Sequence, residues 1–181
     1  MKVTKLLLLG IYYGCLRHLP DSNNRLCGRF CKLLRYSCCR HIFKKCGYNV
    51  NIEKGASFGS GRDIEIGDNS GIGINADLPN NIIIGDNVMM GKNVTVFISN
   101  HRFDSIEIPM CQQGMSKPKQ TIIEDDVWIG ANVIMTPGRI IKTGSIVGAG
   151  CILTKDFPAY SIIGGNPGKI IRYRTSDRNC F

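Results

Sequence analysis

"VWIGANVIMTPGRIIKTGSIVGAGCILTKD", residues 127–156, brings a bulky apolar side chain back every six residues, at Ile129, Met135, Ile141, Val147 and Leu153. A helix repeats near 3.6 residues and a half-buried strand near 2, so a period of six belongs to neither. It marks an internal repeat. The same spacing holds earlier, at Ile66, Ile72, Leu78, Ile84, Met90 and Val96, and resumes at Ile123. Small or β-branched residues often follow four places behind the anchor, as at Ser70, Ala76, Ile82, Val88 and Val94. Glycine often stands directly behind it, as at Gly67, Gly73, Gly85 and Gly91. A weaker pair, Ile52 and Phe58, lies two residues out of phase.

A six-residue unit is long enough for one short strand and one tight corner. The anchor points inward, and the glycine is expected to supply the corner's unusual dihedral angles. Three flat faces then close one turn of about 18 residues, and turns stack at roughly the 4.8 Å strand spacing. The expectation is a mainly β protein, a parallel β-helix of hexapeptide repeats, rather than a sandwich. The step from Val96 to Ile123 is not a multiple of six, so an irregular segment interrupts the repeat. It contains "SNHRFDSIEIPMCQQGMSKPKQ", the loop 99–120.

The chain has 181 residues and a formal net charge of +9. Residues 1–46 hold ten Lys or Arg and one acid, Asp21, whereas residues 47–181 balance at 13 of each sign. The division expected is a basic helical segment 1–46, a repeat domain 47–165 and a basic C-terminal tail 166–181. The first segment reads as two helices separated by "PDSNN". In the second, Leu26, Phe30, Leu33, Leu34 and Ile42 are expected as its apolar stripe. Such a segment can cap the open end of a solenoid, and a basic amphipathic helix also suits an anionic membrane surface. No aromatic interleaving accompanies the charge, so nucleic acid is not an expected partner. The apolar run 6–16 is too short to span a bilayer, and no small-x-small cleavage site follows it. Nine cysteines show no regular disulfide framework. Cys27, Cys31, Cys38 and His41 do not match the usual zinc spacing, and no metal is expected. Cys151, four places behind Val147, is expected as a small packed residue.

A loop leaving a rigid scaffold is a usual place for function, and this one carries His101, the only histidine of the repeat domain. Imidazole titrates near neutrality and suits a general base; a solvated loop histidine is the plainer reading. One histidine is too few for the three-histidine metal site of a γ-class carbonic anhydrase.

Residues 46–174 resemble the hexapeptide-repeat acyltransferases of the branch that O-acetylates sugars, such as galactoside, maltose and capsule O-acetyltransferases. The residues that carry the resemblance are "IGDNVMMGKNVTVFISNH", "IEDDVWIGANVIMTPG", "VGAGCILTKDFP" and "GGNPGKIIR". The resemblance implies a left-handed helix and a homotrimer with each site between neighbouring prisms. It further implies transfer of acetyl from acetyl coenzyme A to a sugar or glycan hydroxyl by direct attack, which requires the cytoplasmic acyl-CoA pool. His101 matches the family's catalytic histidine. Ala131 stands where a family serine offers its backbone amide to the oxyanion, and only the backbone is needed there. Ala149, Thr154 and Lys155 fall along the coenzyme groove, and Lys169 and Arg172 match basic residues that meet its phosphates. Asn75 matches an asparagine that binds the sugar, but the acids that follow it in the galactoside enzyme are replaced by "LPNN" here. Trp128 is either a packed corner residue or a wall of the acceptor pocket, and Asp104 is the nearest acid in sequence to His101. An amine acceptor, as on a nucleotide-linked amino sugar, serine as acceptor, and a non-catalytic scaffold are the competing expectations.

Overall fold

The computed structural model describes residues 3–174. Its solenoid has three faces that the chain visits in rotation. The first is a five-stranded parallel sheet of Lys45–Cys46, Glu65–Ile66, Ile83–Ile84, Ile122–Ile123 and Ile140–Ile141. The second runs through Asn51–Ile52 and Gly71–Ile72, then Met89–Met90, Trp128–Ile129, Ile146–Val147 and Ser161–Gly164. The third holds Thr95–Val96, Ile134–Met135 and Ile152–Leu153, extended by single bridges from Ser57 to Asp77 to Thr95.

The register explains the sequence spacing. Ile66 pairs with Ile84 and Ile123 with Ile141, each partner lying three hexapeptides further on. In the first turn Cys46 pairs with Ile66 and Ile52 with Ile72, two places beyond three hexapeptides, which is why Ile52 and Phe58 fall out of phase. Ile84 pairs with Ile123, where a regular turn would have brought it against position 102. The interruption therefore more than doubles the length of one turn without disturbing the stack.

Every anchor is buried except Met90, which is half-buried against the core. Most residues four places behind are buried too, as at Ser70, Ala76, Val133 and Cys151, while Arg139 behind Met135 is only half-buried. Most hexapeptides therefore give the interior two side chains, and a fully buried isoleucine contributes about 1.5–3 kcal/mol.

The glycines behind the anchors have a different cause from the one expected. Their φ angles are not positive; the positive φ falls two places later, at +53° in Asn75, +57° in Asn93 and +59° in Asn132. Asparagine tolerates this left-handed region better than other side chains. The glycines serve close stacking instead. A Cβ on Gly91 would stand 2.7 Å from the Ala131 nitrogen, and one on Gly130 would stand 2.5 Å from that of Ala149.

Two helices, α1 (Val3–Gly14) and α2 (Gly28–Ile42), lie across the open first turn. They run antiparallel: Lys5 Nζ donates to Ile42 O at 2.9 Å, and Cys38 Sγ to Leu8 O at 3.4 Å. Tyr12 of α1 donates to Ala56 O at 3.0 Å and packs on Phe58. The apolar stripe expected for α2 is not its buried face. Of those five residues only Ile42 is buried; Leu34 is half-buried, and Leu26, Phe30 and Leu33 are exposed. The buried face consists of Gly28, Cys31, Arg35, Cys38, Cys39 and Ile42. Arg35 explains the choice. Its guanidinium satisfies a carbonyl that the solenoid end leaves open, donating to Ile52 O at 2.5 Å, and one between the helices, Pro20 O at 2.9 Å, and faces Glu53 at 3.7 Å. A charge this deep needs such partners, and leucine could not supply them. Small cysteines beside it let the helix approach closely. Among the described residues no helix is long and apolar enough to cross a membrane.

The expected basic C-terminal tail, 166–181, begins with regular structure. Lys169–Tyr173 folds back as an antiparallel strand on Ser161–Gly164 and covers the last strand edge. Residues 175–181 of that tail lie outside the described residues.

Candidate active site

The interruption is a hairpin rather than an open loop. Arg102 N–H donates to Gly114 O at 2.9 Å, Ser116 N–H to Asn100 O at 2.8 Å and Lys119 N–H to Ile98 O at 2.8 Å. Gln113 ties its tip, giving Nε2–H to Ser105 O at 2.8 Å and accepting from Ser105 N–H at 3.1 Å. His101 is thus carried on a braced strand, opposite Met115.

Between this hairpin and the corner 136–139 of the next turn lies a recess of about 570 Å³, lined in part by His101, Arg102, Asp104, Lys119, Thr136 and Arg139. Asp104 is engaged by Arg102 Nε at 3.0 Å, so its carboxylate is directed at the neighbouring arginine. Arg139 Nη1 donates to Thr154 O at 3.0 Å and faces Asp156 at 3.3 Å, which joins this corner to the corner above it. Thr154 and Lys155 therefore share the His101 edge, between the third and first faces. Lys155 Nζ lies 5.6 Å from the centre of the Phe157 ring.

The other expected residues gather elsewhere. Ala131 and Ala149 occupy successive corners between the second and third faces, where Gly150 N–H donates to Ala131 O at 2.8 Å. Their flanking amides are used in the stack: Gly130 N–H meets Val147 O at 2.7 Å, and Asn132 N–H meets Lys92 O at 2.8 Å. The Ala131 N–H takes no part in that ladder. Asn75 stands on the same edge, where its Nδ2 donates to Asn93 Oδ1 at 3.4 Å, and Asn93 in turn donates to Asn132 at 2.9 Å. Trp128 is half-exposed on the second face, in register with Met89 and Ile146.

Lys169 and Arg172 are three apart on one strand, a spacing that would normally point them to opposite sides. A bulge corrects this. Arg172 pairs with Ile162 and Lys169 with Gly164, across a register shift between Ile162 and Ile163. Directly paired residues share a side, and the extra residue restores phase, so both cations point outward with Ile162 while Ile163 is buried.

Sequence reasoning missed Arg102, Lys119 and Arg139. Arg139 left a signal: it stands four places behind the anchor Met135, where other hexapeptides bury a small or apolar residue. Lys119 left none, because its stem is placed only by packing on Gly138. Burial pushes the thiols of Cys38, Cys39 and Cys151 up, and that of Cys46 to about 11, which leaves them protonated near neutrality. Among the described residues no three His, Cys, Asp or Glu side chains are grouped to hold a metal ion.

Comparison with known proteins agrees with this architecture. The family model for bacterial transferase hexapeptide (six repeats) matches residues 120–155, and that for the hexapeptide repeat of succinyl-transferase matches residues 81–99. A maltose O-acetyltransferase from Clostridium difficile 630 is 30% identical, with 94% of this chain and 89% of that one aligned at a TM-score of 0.72. A hexapeptide-repeat acetyltransferase from Vibrio cholerae O1 biovar eltor, complexed with acetyl coenzyme A, is 28% identical over 95% of this chain and 90% of its own, with a TM-score of 0.71. A chloramphenicol acetyltransferase from Agrobacterium fabrum is 46% identical over 57 residues, 32% of this chain. That match spans only 27% of the relative's length.

Proposed function

This chain belongs to the hexapeptide-repeat acetyltransferases of the sugar O-acetyltransferase branch, a left-handed β-helix family, and from that premise we propose that it acetylates a sugar hydroxyl with His101 as general base. The donor is acetyl coenzyme A, and the acceptor is a sugar of a surface polysaccharide or of its glycan precursor, acetylated in the cytoplasm. The observation that carries the reading is the position of His101, on a braced strand over a recess whose edge continues to Thr154 and Lys155.

The acceptor hydroxyl attacks the thioester carbonyl while the His101 imidazole takes its proton. The oxygen of the tetrahedral adduct becomes negative and is met by the Ala131 N–H. The C–S bond then breaks, and the imidazolium returns its proton to the departing thiolate. Lys169 and Arg172, brought to one side by the bulge, meet the donor's phosphates. Trp128 and Asn75 contact the acceptor. His101 and Ala131 stand on different edges of one prism, which supports a homotrimer in which each site joins the two edges from neighbouring copies.

Thiol release from acetyl coenzyme A across a panel of sugars and lipid-linked sugars, with wild type beside His101→Ala, tests the reading. Release that requires one sugar and His101 is the expected result. A sugar-dependent rate unchanged in His101→Ala would remove His101 from the mechanism.

A further inference from the structure

We propose that the outward faces of α1 and α2 form a docking surface for an anionic lipid bilayer. On α1, Val3, Leu6, Leu7, Gly10, Ile11 and Gly14 recur at spacings of three and four, which places them on one side of the helix. Tyr12 on the opposite side is buried on the solenoid, so this apolar side looks away from it. Val3 is 84% exposed and Leu7 66%. No charged residue interrupts the face.

The outer side of α2 adds the complementary charge. Phe30 is 62% exposed and Leu33 follows three places on, while Leu26, in the turn that leads into the helix, is 97% exposed. Arg29 and Arg40 flank Leu33 on the same stripe, four places before it and seven after, and both are exposed. Both helices press their inner faces on the first turn, so their outer faces look the same way. The cations have little competition. The one acid of residues 1–46, Asp21, turns its carboxylate to the Asn23 N–H at 2.9 Å.

Charge decides what covers this surface. A second copy docking face to face through the same patch would bring Arg29 and Arg40 against their own equivalents, a like-charge contact. An anionic bilayer accepts both features. Leucine and phenylalanine side chains enter below the headgroups while arginines at the margin meet lipid phosphates. The solenoid then stands with its capped end on the membrane.

Flotation of the full chain with vesicles tests this. Expected is partition onto vesicles containing phosphatidylglycerol, weak partition onto pure phosphatidylcholine, and a fall with added salt. Arg29→Glu with Arg40→Glu should lower partition by at least about fivefold for each cation removed. Leu6→Ser with Leu7→Ser should lower it at least as far. All four side chains are exposed, so thermal unfolding of the variants should match wild type and separate lost docking from lost folding. Equal partition onto neutral and anionic vesicles, or none onto either, would overturn the proposal. So would variants that keep vesicle binding but change the sedimentation mass, since the face would then belong to a second copy.

Discussion

The two edges that carry the candidate site are built on opposite rules. Between the second and third faces one corner repeats turn after turn: Asn75, Asn93 and Asn132 hold the same left-handed φ, and their side chains bond in a column. Ala131 and Ala149 take equivalent places one turn apart. Between the third and first faces the corner of one turn is replaced by the hairpin that carries His101, while the next turn closes with residues 136–139. The regular edge can fix a backbone N–H but has few side chains to spare for chemistry. The irregular edge brings His101, Arg102 and Lys119 over the recess because its hairpin leaves the stack. Neither edge carries both His101 and the Ala131 amide, so the proposed mechanism predicts a site joined between two copies.

The sharpest test of that division removes one part from each edge. His101→Ala should lower kcat by roughly 10²–10⁴, the usual contribution of a general base. Ala131→Pro should lower it by about 10²–10³, the effect of losing one oxyanion donor. Proline suits the second place of a four-residue turn whose third residue, here Asn132, has positive φ. The two variants mixed and reassembled should then regain activity, because a site between copies can take His101 from one chain and the Ala131 amide from the next. Random assembly of a closed ring restores about a quarter of the sites. No recovery, with mixed trimers demonstrated by mass, would put both groups in one chain's site.

A milder effect is expected at the terminal strand. Lys169→Ala or Arg172→Ala should raise KM for acetyl coenzyme A by about tenfold with little change in kcat, the signature of lost ground-state binding. A fall in kcat with KM unchanged would separate these cations from donor binding.

These elements were not equally legible in the sequence. The solenoid could be read because each anchor answers to one requirement, burial in a narrow prism, and that requirement recurs every six residues. The N-terminal layer could not be read the same way. Its buried face is chosen by open carbonyls, that of Ile52 in the first turn and that of Pro20 between the helices, and Arg35 answers them better than Leu33. Hydrophobicity alone therefore marks the exposed side of α2 and not the buried one. The role of the glycines was misread for a related reason. Spacing locates a corner but does not say which of its residues has positive φ and which meets the neighbouring turn. At the site, position in the phase break singled out His101 as a candidate, whereas the joint direction of Lys169 and Arg172 depends on a bulge that spacing does not show.

The smallest effect tests why asparagine recurs on the regular edge. Asn132 has two possible uses there: it tolerates φ of +59°, and its Oδ1 accepts from Asn93 Nδ2 at 2.9 Å. Asn132→Ala loses both and should destabilise by about 1–2 kcal/mol, mostly from forcing a β-carbon into the left-handed region. Asn132→Gly keeps the angle and loses only an exposed side-chain bond, so it should cost less than about 1 kcal/mol. Urea unfolding of the two variants beside wild type separates the uses. If glycine costs as much as alanine, the bonded column rather than the backbone angle maintains this edge, and Asn75 at its lower end is committed to the stack. If glycine is close to wild type, the column is dispensable, and Asn75 is free to turn its amide toward an acceptor.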